Sequence, residues 1–164
     1  MSPDQLLEEL SIQMSAPPLS EALGRDAVPD LADPLIVAML ILALETEIMM
    51  SGIITFLGNS SGRFAAQTVT ALQMVGCSRQ ATLLQQILDI ATAAGMTHEA
   101  IQQDRSGLKM FAVTTFSELH GDKWDLATNQ IAELEPQIDS QQLIAATEAF
   151  VGRHIDRFQK ALGR

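Results

Sequence analysis

The chain has 164 residues, of which 47% are hydrophobic and 18% charged, and its twenty acidic side chains outnumber ten Lys and Arg to give a net charge of −10. This length predicts a single domain with a substantial core, and the charge disfavours direct binding to nucleic acid or to an anionic membrane. The lone Cys77 excludes an internal disulfide. The acidic, amphipathic start is unlike a secretory signal, so we expect a cytoplasmic protein.

Acidic residues are concentrated in two parts of the chain. Residues 1–62 hold nine acids and one base, and residues 99–148 hold nine acids and three bases. The segments between and after them are mildly basic. Such a field attracts basic protein surfaces, although a solvated acidic face that only keeps the protein soluble would give the same pattern.

Helix signals begin at the first residues. Ser2 as N-cap, Pro3 at the first helical position and Gln5 in a capping box predict an amphipathic helix that ends at a Pro-Pro pair. A short helical piece over 20–23 and a loop over 24–33 follow. We expect the first helix to pack on its own domain; docking on a partner or exchange between two copies is the alternative.

The most apolar stretch comes next, and the rest of the chain is predicted to surround it. Asp33 and Pro34 supply its N-cap and first helical position. Residues 35–44 are all apolar, Glu45 and Glu47 interrupt, and apolar residues then resume. A helix that is apolar all round is either a core helix or a membrane span, and a span needs about 20 such residues. The shorter run predicts a buried central helix with at least one of the two glutamates inside.

Glu47 precedes a turn-forming cluster at 59–62, which reads Asn-Ser-Ser-Gly. A carboxylate in an apolar setting must be protonated, paired or supplied with hydrogen-bond donors. We expect N–H groups of this turn and of the next helix to supply them, so that Glu47 ties the loop at Asn59 to the central helix. The alternative is Glu47 as a general base, but no His, Lys or metal-ligand spacing lies nearby in the sequence.

Apolar residues at helical spacing predict the elements that follow. A helical hairpin turns at Gly76, has Ser78 as the cap of its second helix and ends at Gly95. A DNA-reading helix is not supported there, because too few basic and amide side chains accompany it. Thr97 caps the next helix, and residues 108–119 form a further helix or, alternatively, a strand.

A helix over 124–133 and one last helix from Asp139 to 162 complete the prediction. Aromatic residues are scarce and Tyr is absent, which favours helices packed on helices. The expected fold is therefore all-α, a single-domain bundle of seven or eight helices around the buried central helix. Residues 1–33 supply the N-terminal helix and loop, and residues 34–164 the core.

Residues in and after the central stretch resemble the signature of the bacterial DNA-mimic protein family, most of whose members have no assigned function. They are Glu47, Gly52, Phe56, Asn59, Ser60, Gly62 and Gly76. A weaker likeness at Phe150, His154 and Phe158 extends the resemblance to the last helix. The family is mainly helical, and its characterised member is an acidic dimer that occupies the DNA-binding surface of a transcription factor. The resemblance thus implies an all-α fold, a homodimer and a basic partner.

The leading functional hypothesis is an acidic protein-binding module that blocks a basic, nucleic-acid-binding partner such as a transcription factor. An immunity or regulatory protein with an unrelated partner is the first alternative, and a small-molecule binder or enzyme with Glu47 in a pocket is the second. The sequence predicts no catalytic residue, metal ligand set or cofactor, since its three histidines are far apart and phosphate-binding loops are missing. The candidate partner contacts are acids that crowd a loop and a helix: Glu118, Asp122, Asp125, Glu133, Glu135 and Asp139.

Overall fold

The computed structural model describes residues 1–24, 27–107 and 120–163, except the side chains of 104–107, and every regular element within them is a helix. The predicted all-α class is confirmed, while the prediction for 108–119 lies outside the described residues. The α-helices, numbered along the described chain, are α1 Pro3–Gln13, α2 Leu19–Ala22, α3 Pro34–Ser51, α4 Ile53–Gly58, α5 Ala65–Met74, α6 Ser78–Ala94, α7 His98–Gly107, α8 Asp122–Leu134, α9 Ser140–Arg153 and α10 Ile155–Ala161, with 3-10 helices at Ser60–Phe64 and Glu135–Gln137.

Helix α3 lies at the centre of the fold. Residues 35–42 and Leu44 are all buried, because α1, α4, α5, α9 and α10 pack against them. Among the described helices, α3 alone has the length and composition of a membrane span, but half of it is buried inside the protein, as is typical of a core helix. Its start is as predicted: the Asp33 carboxylate accepts a hydrogen bond from the Leu35 N–H at 3.0 Å, and Pro34 is the first helical residue.

The apolar stretch beyond α3 forms a separate helix. Gly52 ends α3 with a φ of +84°, a value that favours glycine, and leads the chain into α4. The Ile53 N–H at the start of α4 donates to Glu135 Oε1 at 3.0 Å, so a carboxylate from a distant part of the chain satisfies this helix end. The last turn of α3 reaches solvent, where Met49 and Met50 are 67% and 78% exposed.

The first and last helices pack together over α3. Helix α1 contacts α9 and α10, and the Ser2 N–H donates to Gln5 Oε1 at 3.0 Å, as the capping box predicted. Arg157 in α10 makes a bidentate ion pair with Asp33, with 2.9 Å between Nε and Oδ1. Asp33 therefore both caps α3 and binds the last helix.

The prediction of one continuous last helix is wrong. The backbone leaves the helical conformation at His154, which separates α9 from α10. A straight helix over the predicted range would extend about 36 Å, which is about 9 Å longer than α3. The break keeps α10 in contact with α1 and α3, where Phe158 is fully buried.

The predicted hairpin of α5 and α6 is present, and α8 packs against α6. The Cys77 N–H donates to Leu72 O at 2.8 Å, which closes the turn around Gly76 at a φ of +91°. Because the Cys77 carbonyl already accepts from the Ala81 N–H, Cys77 is the N-cap of α6, and the prediction of Ser78 was wrong by one residue.

The stop predicted for α6 and the cap predicted for α7 are confirmed. Gly95 stops α6 in the left-handed conformation, with a φ of +76°. Thr97 Oγ1 accepts from the Ala100 N–H at 3.2 Å, which is the expected cap of α7.

The turn that follows α4 is pressed against the end of that helix. A Cβ added at Gly62 would lie 2.3 Å from the Phe56 carbonyl oxygen and 2.4 Å from that of Leu57. The Leu57 carbonyl oxygen also lies 3.0 Å from His98 Nδ1, so α7 docks on the same helix end. Gly62 is thus required by this close approach.

Replacing Gly62 by Ala should lower the free energy of unfolding by about 1 to 3 kcal/mol, because the added methyl group must displace backbone carbonyls. Urea denaturation measures the change. Gly76 is the matched control, since a Cβ added there would have no atom within 4 Å and its cost comes from a positive φ. Asn tolerates that conformation, so Gly76→Asn should be milder than Gly76→Ala, whereas Gly62→Asn should be no milder than Gly62→Ala. A fully stable Gly62→Ala protein would contradict the close approach.

Candidate functional site

The motif residues meet where α3 and α4 end. Asn59 Nδ2 donates to Glu47 Oε2 at 2.7 Å, while Phe56 is fully buried beneath the turn. The predicted tie between Glu47 and the loop is confirmed, although the donor is a side-chain amide. Both Glu45 and Glu47 are only partly buried. The expectation that one lies inside the core was wrong, because the last turns of α3 emerge from the bundle.

A groove between α1, α3 and α9 gathers four carboxylates, and we call it the acidic groove. Asp4 and Glu8 come from α1, Glu45 from α3 and Glu148 from α9, with aliphatic side chains between them. The groove has a volume of about 250 Å³, and no Lys or Arg is among its described lining residues. The four side chains make no ion pair within the described part of the chain. Their negative charge therefore faces the groove uncompensated.

The protonation equilibria of the acidic groove differ from residue to residue. Burial raises the pKa of Glu45, because the charged form loses hydration against the neighbouring helices. A hydrogen bond from the Ser2 side chain lowers the pKa of Asp4. Glu45 is thus the carboxylate of the groove whose charged form is disfavoured by burial.

A second cavity, the Glu47 pocket, adjoins the acidic groove. Ser11 of α1 and Thr46 of α3 line both cavities. The pocket has a volume of about 380 Å³ and lies between α1, α2, α3 and the 3-10 helix Ser60–Phe64. Its lining combines the Glu47 carboxylate with six hydroxyl side chains and four apolar ones. The hydroxyls belong to Ser11, Ser15, Ser20, Thr46, Ser60 and Ser61.

The acids predicted as partner contacts fall mainly along α8. Asp122 and Glu133 are exposed at its two ends, and Asp125 is partly buried one turn from the start. Glu118 lies outside the described residues. These positions form a face separate from the acidic groove, and their contact with a partner stays a prediction.

Two further predicted contacts have internal hydrogen bonds. Glu135 accepts from the Ile53 N–H at the start of α4, as described above. Asp139 caps α9, because its carboxylate accepts from the Gln142 N–H at 3.0 Å. Both side chains therefore have a structural role, and a role in partner binding is not tested by these contacts.

Sequence reasoning missed the acidic groove, although part of its signal was present. Asp4 and Glu8 are four residues apart, which places them on one face of a helix. Glu148 follows Ile144 by the same spacing on the side of α9 that faces α3. Asp4 and Glu8 on α1 and Glu148 on α9 come close to Glu45 only because both helices pack on α3.

The histidines make packing and backbone contacts. His98 bonds to a carbonyl of α4, His120 stacks on Trp124 with ring centroids 3.6 Å apart, and His154 lies against Phe150 at 4.7 Å. Within the described ranges, no group of three or more His, Cys, Asp or Glu is placed to hold a metal ion.

Comparison with known proteins identifies a family. The model of a family described as DMP19-like protein matches residues 29–154. The match covers every motif residue from Glu47 to Gly76 as well as Glu45 and Glu148, but not α1. The resemblance to the DNA-mimic family is thereby confirmed. Nothing among the curated proteins or the solved structures matches the chain.

Glu45→Gln should stabilise the protein at pH 7, and this gain should vanish below about pH 4. Because folding raises the pKa of Glu45, the folded state binds the proton more tightly than the unfolded chain does. The stability gained from this tighter proton binding is therefore fully present at low pH. It is lost as the pH rises through the pKa of Glu45 in the folded state. Thermal melts at both pH values measure the difference. Asp89→Asn, an equal change of charge at an exposed position, is the control; a Glu45→Gln protein destabilised at pH 7 would refute the burial effect.

The bond between Glu47 and Asn59 should be visible in a double-mutant cycle. Glu47→Ala and Asn59→Ala should each cost about 1 to 2 kcal/mol, with a coupling of about 1 kcal/mol between them. Glu47→Gln should cost less, since its amide oxygen still accepts from Asn59 Nδ2. Urea denaturation of the four proteins gives the coupling, and strictly additive single effects would show that the bond contributes nothing.

Proposed function

Because the chain belongs to the DMP19-like protein family, we propose that it is a non-enzymatic, acidic protein-binding module that acts as a DNA mimic. Its partner is a basic protein such as a DNA-binding transcription factor, and the chain occupies the surface that this partner uses for nucleic acid. Besides the family match, the structural observation that supports this proposal is the acidic groove.

The groove has the charge arrangement that such a partner would recognise. Asp4, Glu8, Glu45 and Glu148 converge from three helices, and no base among the described lining residues neutralises them. Asp4 and Glu8 are one helical turn apart, about 6 Å along the axis. Both acids lie on one face of α1, where they present two negative groups that Lys or Arg side chains of a DNA-binding protein would contact.

Binding through this groove draws on electrostatics more than on apolar area. Charge complementarity speeds encounter and excludes partners with an acidic surface. Glu45 is already partly desolvated, and a nearby cation would favour its charged form, which burial alone disfavours. Association should therefore weaken steeply with salt.

We further propose that the protein works in the cytoplasm as a homodimer, with no contact to nucleic acid or membrane. Exposed apolar side chains at the end of α3, Met49 and Met50, support a contact between copies, since such side chains are usually covered when they form a patch. An immunity or regulatory protein with an unrelated partner is the rival, and it would bind through such apolar residues in a salt-resistant manner.

The test is recovery of partners from a lysate of the source organism, followed by mass spectrometry, at low salt and at about 0.5 M salt, where the screening length is about 4 Å. We expect a DNA-binding protein that is retained at low salt and lost at high salt. A partner that resists salt and has no basic surface would contradict mimicry.

Two triple variants, each of which removes three negative charges, locate the contact. Neutralising Asp4, Glu8 and Glu148 to their amides should abolish recovery of the partner. The α8 set, Asp122→Asn, Asp125→Asn and Glu133→Gln, removes three of the contacts predicted from the sequence and should retain the partner when the acidic groove alone makes the contact. If only the α8 variant failed to recover the partner, DNA mimicry would still hold, but the contact would lie on α8 and not in the acidic groove.

A further inference from the structure

The Glu47 pocket holds a carboxylate that has no counterion among the residues that the structure describes. Glu47 Oε2 accepts one hydrogen bond from Asn59, and no Lys, Arg or His of the described chain pairs with the group. A carboxylate offers about four acceptor sites, so donors of the described protein engage only a small part of its capacity. The bond to Asn59 also fixes how the group is presented to the pocket.

The rest of the lining selects for the charge and shape of a ligand. Beside Glu47 there are hydroxyl groups but no Lys, Arg, His, Asn or Gln side chain among the described lining residues. An anion would find no charged donor there, whereas an ammonium group has three N–H donors that carboxylate and hydroxyl oxygens accept. The apolar side chains suit an aliphatic chain attached to that ammonium; they are Met14, Leu23, Met39 and Ala43.

A hydroxyl in the same lining also lacks a partner. Ser61 Oγ is buried and makes no hydrogen bond within the described structure. Buried polar groups are almost always hydrogen-bonded, because a polar group that leaves water without gaining a hydrogen bond destabilises the folded state. A donor that enters the pocket beside Glu47 would supply the missing bond.

Among the described residues, the base of the adjoining cavity does not occupy the position of such a ligand. Arg63 lines the adjoining cavity on the other side of Ser60. Its guanidinium donates to the Ser60 carbonyl at 3.1 Å and to the Gly24 carbonyl at 2.9 Å. The acidic groove meets the pocket on the opposite side, at Ser11 and Thr46, where its charge attracts cations.

We propose that the Glu47 pocket binds a primary alkylammonium group, with the ammonium on the Glu47 carboxylate and neighbouring hydroxyls and the aliphatic chain against the apolar wall. The same chemistry has two sources, a free aliphatic amine and the side chain of a lysine on a basic protein. The second source rests on the proposed function, whereas the first does not.

Titration calorimetry of the purified chain with n-pentylamine tests the proposal without a partner protein. We expect saturable binding, at least about tenfold weaker in Glu47→Gln, because a bond to a charged group is replaced by one to a neutral amide. Asp89→Asn, which removes one negative charge on α6, should bind as the wild type does. Ser61→Ala should bind several-fold more weakly yet remain as stable as the wild type, since the hydroxyl it removes has no partner.

Uncharged and anionic analogues separate ammonium recognition from simple filling of a cavity. Pentan-1-ol and pentanoate should not bind measurably, and affinity for pentan-1-ol equal to that for pentylamine would overturn the proposal. So would an absence of saturable binding, or equal losses in Glu47→Gln and Asp89→Asn.

The source of the amine is decided by a second probe, Nα-acetyl-lysine amide. Binding of both probes supports a lysine side chain as an occupant, while binding of pentylamine alone supports a free amine. Binding of neither contradicts the proposal, whatever the result of partner recovery through the acidic groove.

Discussion

Residues 35–42 of α3 have no polar face, so another part of the chain must shield each of them from water. Helices α1, α9 and α10 provide this cover together with α4 and α5. The shielding of α3 does not depend on the remaining described helices. Among them, α6 packs against α5 and α8. Asp33 links the start of α3 to the last helix, because its carboxylate both caps α3 and binds Arg157.

The other end of α3 obeys a different constraint. The covering helices leave its last turns only partly buried, so polar and charged residues are tolerated there. Glu45 and Glu47 are two positions apart and point to different sides of the helix, with Thr46 between them lining both cavities. A single core helix thus supplies one carboxylate to the acidic groove and another to the Glu47 pocket.

Local signals predicted much of the fold. The caps at Asp33 and Thr97 and the stop at Gly95 depend on neighbouring residues, and a pattern within one helix is enough to find them. The central helix was predictable for the same reason, because its lack of a polar face is visible in ten consecutive residues. The bond between Glu47 and Asn59 was inferred from the cost of burying a carboxylate, although not its donor group.

Features that depend on contacts between distant residues were not predictable in this way. Glu135 looks like one acid among several in a charged stretch, yet it binds the Ile53 N–H across 82 positions of sequence. The break at His154 keeps α10 in contact with α1 and α3, and helix periodicity does not reveal such contacts. The acidic groove is the clearest case, since its carboxylates come from α1, α3 and α9 and only the packing of these helices brings them together.

The packing of α1 on α9 and α10 also has a consequence for synthesis on the ribosome. Chain growth is vectorial, so α1 and α3 emerge long before the two helices that cover them on that side. Asp4 and Glu8 of the acidic groove are synthesised early, whereas Glu148 joins the groove only after α9 has been synthesised and has packed on α3. A nascent chain therefore lacks the complete charge arrangement, and the groove becomes available only at the end of folding.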